Sequence, residues 1–319
     1  DPRLVTLVDR YATYTGSDPR QAPAALATVP YIEQMFGAYH VSGGLRELGR
    51  ALYERATSIG VKFEFGATVA NIATEPKVSG VTLADGRFLA ADIVVANSDA
   101  SNVYQNLLSP EAQQRTSSAK KSLAKATPSL SGFVILQAMS GKTADFEHHN
   151  VFFPENYDDE FDSVFGIGKK VSPVADPTIY ICSPNDSKMA PAGNESWFML
   201  INAPRHDPAS GVDWANSELK DSYTKQILSR LKDRGIDASD RVTWQQNLTP
   251  ADLERNTLAP GGSIYGTSSN GMRSAFLRPG NITKIPNLYL VGGSSHPGGG
   301  LPLVGMSAEI VANHIGRAN

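Results

Sequence analysis

Apolar side chains repeat with helical spacing in the clearest helix of the chain. Leu45, Leu48, Leu52 and Ile59 fall on one face, and Gly60 follows where a left-handed residue commonly ends a helix. The same period, interrupted by glycine and proline, predicts other helices. Their predicted ranges are 4–11, 22–36, 99–127, 217–231, 250–255 and 304–315.

A period of two residues predicts strands after this helix. Lys62 to Phe65 alternates between polar and apolar residues, and the stretch 78–83 leads into Asp85-Gly86, a strong hairpin turn. The β-branched run Ile93-Val94-Val95 predicts a strand that is buried on both faces. Further strands are predicted at 68–72, 133–136, 151–153, 178–182, 197–201 and 287–291.

Length and composition narrow the class of protein. A chain of 319 residues favours two lobes or one large α/β unit with insertions, and 41% apolar with 19% charged residues excludes a disordered chain. The net charge of −3 provides no basic surface, so no nucleic-acid partner is expected. Cys182 is the only cysteine, which excludes an intrachain disulfide and favours a reducing compartment. No apolar run reaches the roughly 18 residues that a spanning helix needs.

The most specific motif is a glycine-rich turn between a predicted strand and the last predicted helix. It runs from Leu290 to Val304 and contains Gly292, Gly293 and the triplet Gly298-Gly299-Gly300. Glycine allows a ligand to approach the backbone closely, and a helix N-terminus attracts anionic or electron-rich groups. The alternative is a tight strand-to-helix connection that needs glycine only for its dihedral angles.

Motifs for other chemistry are absent or unfavourable. The chain has no Gly-x-Gly-x-x-Gly at a first strand and no Walker-type phosphate loop. His148 and His149 would point to opposite faces of a strand, and no His/Cys group has ligand spacing, so no metal site is expected. The acidic run Asp158-Asp159-Glu160, with Asp162, is expected to be a solvated helix face.

Segments along the whole chain resemble the bacterial phytoene desaturases, and they occur in the family's order. The sequence departs from the family near His40, where a proline usually precedes the paired glycines. The matching segments are Arg10–Gly16 with Ala22-Pro23-Ala24, Tyr39–Gly44, Asp92–Asp99, His148–Phe153, Asp176–Tyr180, Ala190–Gly193, Phe276–Pro279 and His296–Pro302.

The resemblance implies the C-terminal portion of a two-lobed, FAD-dependent, amine-oxidase-like fold of mixed α/β class. The FAD-binding domain is expected to be incomplete, since the family's N-terminal Rossmann unit and its glycine fingerprint are missing. A central strand, 92–96 or 287–291, should then have an unpaired edge, and strand 287–291 and helix 304–316 should pack against helix 44–60 and strand 92–96. The implied divisions are 1–39 for substrate-lobe helices, 40–107 for the middle piece of the FAD-binding domain, 108–283 for a substrate-binding lobe with a mixed sheet and helices, and 284–319 for the C-terminal piece of the FAD-binding domain.

The function implied by the resemblance is desaturation of an apolar polyene such as phytoene in carotenoid biosynthesis, by hydride transfer to flavin. FAD is expected in a full-length parent protein, and this chain alone is expected to be inactive. The alternatives are a carotenoid terminal-methyl oxygenase of the same family and a non-catalytic polyene-binding fragment. The polyene and a membrane surface are the expected partners, with a peripheral cytoplasmic location and a homo-oligomer as a further expectation.

The resemblance also assigns the site residues. Val69 would contact the adenine side of FAD, while Gly292 and Gly293 would approach its diphosphate and ribityl groups. Gly300, Leu301 and Pro302 would lie beside the flavin pyrimidine. His296, the titratable side chain within the turn, is the catalytic candidate; the alternative is a histidine that caps the loop.

Overall fold

The computed structural model describes residues 1–271 and 278–317. Its helices are α1 (Pro2–Asp9), α2 (Thr28–Phe36), α3 (Leu45–Ser58), α4 (Ala100–Asn102), α5 (Pro110–Arg115), α6 (Ser117–Lys125), α7 (Asp158–Phe165), α8 (Ser217–Asp233), α9 (Pro250–Thr257) and α10 (Leu301–Ile315). Its strands are β1 (Val69–Ala73), β2 (Gly80–Leu83), β3 (Phe88–Ala90), β4 (Val94–Ala96), β5 (Ser131–Met139), β6 (His149–Phe152), β7 (Ile179–Cys182), β8 (Glu195–Ala203), β9 (Val242–Leu248) and β10 (Leu288–Leu290).

The chain forms two compact units that are discontinuous in sequence. The first comprises Asp1–Pro30, Gly66–Ser131 and Leu253–Asn319, and the second comprises Tyr31–Phe65 and Gly132–Asp252. The predicted domain divisions at residues 39, 107 and 283 remain predictions.

The first unit holds two small sheets. Strands β1, β2 and β3 form an antiparallel meander, in which Gly86 turns the predicted hairpin with a φ of +88°. Strands β10 and β4 are parallel neighbours, with Leu288 opposite Val94 and Leu290 opposite Ala96. A shared core covers this pair and includes Ile72, Val103, Tyr104, Leu108, Ile285, Leu288 and Leu290. The predicted packing of strand 287–291 against strand 92–96 is therefore confirmed, although nearly 200 residues separate the two strands in sequence.

The second unit is built on a five-stranded sheet in the order β6-β7-β8-β5-β9. Residues from β5, β7, β8 and α8 form its core, centred on Phe133, Trp214 and Tyr223 with ring centroids 5.1–5.5 Å apart. The predicted helix 217–231 is confirmed as α8. Asn216 caps its N-terminus, where the Asn216 side chain accepts hydrogen bonds from the amides of Glu218 and Leu219. The structure contains parallel and antiparallel strand pairs together with helices, which agrees with the predicted mixed α/β class.

Four local predictions are corrected. Strand β4 is not buried on both faces, since Ile93 is 39% and Val95 is 45% exposed; β10 pairs with one edge of β4, and among the described residues nothing pairs with the other. This unpaired edge is the one expected for an incomplete sheet. Residues 62–65 form no strand, and Phe63 and Phe65 instead pack on Tyr53. The predicted helix 99–127 is broken into α4, a π-helical turn, α5 and α6.

The fourth correction concerns the acidic run, which is not a solvated face throughout. Glu160 is completely buried, and its carboxylate accepts from the amide of Thr178 (2.7 Å) and from Nδ2 of Asn202 (2.6 Å). A buried carboxylate needs such donors, because burial without them costs several kcal/mol, roughly 2–7 for a neutral polar group alone.

Helix α3 has an apolar stripe but buries none of its residues, and Leu45, Leu52 and Ile59 are each about 64% exposed. It belongs to the second unit, and its predicted packing against strands 92–96 and 287–291 remains a prediction. No helix in the described part of the chain combines the length and apolarity needed to cross a bilayer.

Candidate functional site

The glycine-rich turn follows β10 at the edge where the neighbouring parallel strand β4 also ends. In sheets of parallel strands, ligands bind beyond the carboxyl ends of the strands. Here Asn97–Asp99 follow β4 and Val291–Ser294 follow β10, and both segments line one cavity of about 260 Å³. The other wall comes from 253–266 of the same unit, including Gly262, Ser263 and Gly266. The topology therefore places the predicted turn at a ligand-binding edge.

Gly292 can only be glycine in this structure. Its φ is +99°, and a β-carbon on it would overlap with Oδ1 of Asn97. Its amide donates to Oγ of Ser307, 3.2 Å away in α10. The first glycine after the strand thus lets the chain turn tightly against the end of β4, which agrees with a conformational role.

A buried polar network fixes the shape of the turn. Nδ2 of Asn281 donates to the carbonyls of Leu290 (3.0 Å) and His296 (2.9 Å) and to Oγ of Ser307 (2.9 Å). Asn281 is 4% exposed and Ser307 is fully buried. Hydrogen bonds of this kind, shielded from water, hold both ends of the turn to the first turns of α10.

A second set of contacts joins the turn to the start of α4. Oγ of Ser294 accepts from the amide of Ala100 (3.0 Å), beside Asp99, whose carboxylate accepts from the amide of Ser101 (2.8 Å). Burial raises the pKa of Asp99, although this hydrogen bond and the charge of Arg278 oppose the shift. Arg278, only 8% exposed, donates from Nη1 to the carbonyls of Tyr265 and Gly293.

The start of α10 is open towards a ligand. Gly300 has a φ of +101°, and a β-carbon on it would meet nothing within 4 Å. No side chain caps this end of the helix, and Leu301 is 56% exposed. Uncapped amides at the end of a 15-residue helix form a favourable place for an anionic or electron-rich group. Nearby, Oγ of Ser295 is buried with no hydrogen-bond partner among the described residues. These features fit a cofactor whose electron-rich edge faces the helix start.

Two further predicted site residues, His296 and Val69, lie in different elements. His296 is in the turn, but only its backbone is bonded there, with its amide donating to the carbonyl of Pro279 (2.8 Å); its side chain is exposed. Among the residues that the structure describes, the His296 side chain therefore has no hydrogen bond that would cap the loop. Val69 starts β1 on the separate three-stranded sheet and is half-buried. The roles assigned to Val69, Gly292, Gly293, His296, Gly300, Leu301 and Pro302 remain predictions.

The sequence reasoning missed the polar residues that support the turn. Asn97 and Asp99 come directly after a strand, and polar residues at the carboxyl end of a parallel strand could have been predicted to lie at a ligand-binding edge. Asn281 and Ser307 had no such signal, since they are 26 residues apart and each occurs in an ordinary polar setting. Of the segment Phe276–Pro279, residues Phe276 and Leu277 lie outside the described residues.

The double histidine also departs from the expected geometry. His148 precedes β6, so its side chain does not follow the alternation of side-chain directions along the strand. Its ring centroid is 4.5 Å from that of His149. The argument that the two rings face opposite ways is wrong here.

Comparison with known proteins gives one family. The sequence matches the family described as flavin containing amine oxidoreductase over residues 6–316. It is 38% identical over 100% of its length to the 1-hydroxycarotenoid 3,4-desaturase of Flavobacterium sp. (strain P99-3), of which it covers 63%. It is 32% identical to the 4,4'-diapolycopene oxygenase of Methylomonas sp, with 99% of this chain and 62% of that protein aligned.

A third relative and a solved structure agree. The hydroxyneurosporene desaturase of Rubrivivax gelatinosus is 33% identical over 98% of this chain and 58% of its own length. The crystal structure of an oxidoreductase from Methanosarcina mazei superposes with a TM-score of 0.65 at 16% identity, covering 98% of this chain and 64% of that one. The predicted fold is thereby confirmed. The chain spans about three-fifths of the length of the curated relatives it matches.

Proposed function

The chain belongs to the flavin-containing amine oxidoreductases, and on that premise we propose that it is part of an FAD-dependent carotenoid desaturase. The observation that carries the proposal is the open helix start at Gly300, in a chain that aligns over its whole length with a hydroxycarotenoid desaturase. Desaturase relatives at 38% and 33% identity support desaturation as the reaction.

The described residues suit a flavin at the turn. A bound flavin supplies the two-electron oxidation of a carbon–carbon single bond. Gly293 lines the cavity at the strand end, and Gly292 before it turns the chain tightly against Asn97. The uncapped amides of α10 provide positive potential for the electron-rich edge of the ring. Asn281 and Ser307 keep the turn in one shape, so that binding does not first have to order it.

His296 remains the candidate for proton transfer. Removing a hydride from one carbon leaves a proton to be taken from the neighbouring carbon, and an imidazole nitrogen can accept it near neutral pH. The exposure of the side chain is compatible with a substrate reaching it.

The proposed substrate is an apolar acyclic carotenoid, and the proposed setting is the surface of a membrane. Helix α2 supports this setting, since Tyr31, Ile32, Met35 and Phe36 are 53–69% exposed on a helix with little charge. Such a face can enter the boundary between head groups and acyl chains. A peripheral cytoplasmic position and assembly as a homo-oligomer belong to the same proposal.

Oxygenation of a carotenoid terminal methyl group is the second candidate. The relative that favours it is the 4,4'-diapolycopene oxygenase, at 32% identity. Flavin and polyene would occupy the same places, but oxygenation requires O₂ and takes place at a terminal methyl group, whereas desaturation removes two hydrogens from neighbouring carbons.

The deciding experiment uses the full-length protein, purified with its flavin and supplied with an acyclic hydroxycarotenoid in detergent or lipid. Under anaerobic conditions the account predicts bleaching of the flavin absorption and a product that has lost two hydrogens, resolved by chromatography and mass spectrometry. A product formed only in air and carrying an added oxygen would favour the oxygenase. Bound polyene with no product and no flavin reduction would reject both.

A further inference from the structure

A cluster of metal-ligand side chains lies in the second unit. One ring nitrogen each of His148 and His149, and Sγ of Cys182, all lie within 4.8 Å of one another. Two of these residues, His149 and Cys182, are directly opposite in the antiparallel pair of β6 and β7. Opposite residues of such a pair project to the same face, so the fold itself brings imidazole and thiol together.

We infer that His148, His149 and Cys182 form a binding site for a divalent transition metal, with Zn²⁺ as the cation that best suits it. Two imidazoles and one thiolate are ligands of borderline softness, which zinc prefers over carboxylate-only sets. Three protein ligands leave the fourth tetrahedral position to water, in keeping with the exposure of His149. The earlier expectation of no metal site rested on strand alternation, which His148 does not follow.

The distances require only small side-chain movements. Neighbouring ligand atoms around tetrahedral zinc are about 3.3–3.6 Å apart, given Zn–N of about 2.0–2.1 Å and Zn–S of about 2.3 Å. The present spread of up to 4.8 Å therefore closes by roughly 1 Å.

One of the two rings, that of His149, already has a hydrogen-bond partner of the kind seen in metal sites. Nδ1 of His149 is 2.8 Å from the hydroxyl of Tyr180, whose ring stacks on it at 5.9 Å. A partner on one ring nitrogen sets the tautomer and leaves the other nitrogen for the metal. His40 packs edge-on against His148 at 4.8 Å and is itself held by Asp186, 2.9 Å from Nε2. Asp186 in turn accepts from the amide of Gly43 (2.7 Å).

Binding of one Zn²⁺ ion releases one proton from the protein. Zn²⁺ joins Sγ of Cys182 as the thiol gives its proton to solvent, and both imidazoles coordinate in the neutral form. No electron is transferred, and the turn after β10 plays no part.

Cys182 is the only cysteine of these 319 residues, so its alkylation rate, followed on the Cys182 peptide by mass spectrometry, reports the site directly. The test adds one equivalent of ZnCl₂ to the full chain and measures the rate with iodoacetamide. Separately, Co²⁺ is titrated and thiolate-to-metal charge-transfer absorption is followed. We expect Zn²⁺ to slow alkylation about tenfold or more. Loss of an outer-shell partner alone weakens metal binding about 10–100-fold, so His149→Gln, which removes a ligand, should weaken Zn²⁺ binding by roughly 100-fold or more. The matched control is His314→Gln, an exposed histidine of the first unit, which should bind as the wild type does.

Cys182→Ser should abolish the Co²⁺ charge-transfer band, and unfolding of this variant would not affect the alkylation measurement on the wild type. Unchanged alkylation of wild-type Cys182 at saturating Zn²⁺ would overturn the inference. Equal Zn²⁺ affinity in wild type and His149→Gln would do so as well.

Discussion

Asn97 and Gly292 lie so close together that the amide oxygen of Asn97 takes the space in which a β-carbon on Gly292 would stand. Asn97 directly follows β4, and Gly292 lies two residues beyond its parallel neighbour β10, almost 200 residues away in sequence. Their contact brings the glycine-rich turn against the end of the sheet, and it explains why the turn begins with a glycine.

Gly292→Ala should therefore destabilise the first unit. The new β-carbon meets both a φ of +99° and Asn97, and strain at such a position costs about 1–3 kcal/mol. Urea unfolding measures the loss. Gly305→Ala is the control within α10: its β-carbon meets nothing within 4 Å, so it should stabilise by about 0.5–1 kcal/mol. Equal stabilities of the two variants would contradict the placement of Gly292.

Glu160 should be needed for the stability of the second unit. Glu160→Ala leaves the amides of Thr178 and Asn202 without their buried acceptor, so we expect a loss of about 2–4 kcal/mol. Exposed Glu155, just before α7, supplies the control, since Glu155→Gln should change stability by less than about 0.5 kcal/mol. Guanidinium unfolding compares the free energies of unfolding of the two variants. A loss of less than about 0.5 kcal/mol for Glu160→Ala would contradict the burial of Glu160 and agree with the solvated helix face predicted from the sequence.

Asp99 should make stability depend on pH with a defined sign. Burial raises its pKa in the folded state, so the folded protein holds this proton more tightly than the unfolded chain, whose pKa is about 3.9. The contribution is full below that value and is lost as the pH rises through the folded-state pKa. Asp99→Asn keeps a capping oxygen without the charge. The stability of the wild type relative to Asp99→Asn should therefore fall as the pH rises above about 4. A relative stability that rises with pH would contradict the sign.

His296→Asn should separate catalysis from structure. The side chain makes no described hydrogen bond, so flavin content and melting temperature should stay close to those of the wild type. Loss of a general base should lower kcat by about 10²–10⁴-fold in the full-length protein. Unaltered turnover would leave His296 as an exposed residue of the turn.

The sequence predicted elements best where local signals were strong and complete. Helix α8 was predicted over 217–231 from its sequence, and the structure places it at Ser217–Asp233. Strand β9 was missed because four of its seven residues are exposed and several are polar, so it carries no apolar alternation. Its place in the sheet comes from pairing with β5, which is a tertiary contact.

The candidate site divides in the same way. Glycines 292, 293 and 300 could be predicted because few other roles explain such a density of glycine between a strand and a helix. The bonds from Asn281 to Ser307, and from Arg278 to Gly293, could not, since each joins residues at least 15 positions apart that have no local pattern. The joining of His149 with Cys182 depends on strand register, which the sequence left open.

The most direct test of the account is the flavin-to-protein ratio of two valine variants of the full-length protein. Gly300 and Gly316 stand at opposite ends of α10, both have positive φ, and a β-carbon on either would meet nothing within 4 Å. Valine should therefore cost about 1–3 kcal/mol of backbone strain at both positions. Absorbance of the purified proteins should show that Gly300→Val loses most of its flavin while Gly316→Val retains it. Equal flavin content in the two variants would contradict a flavin site at the start of α10.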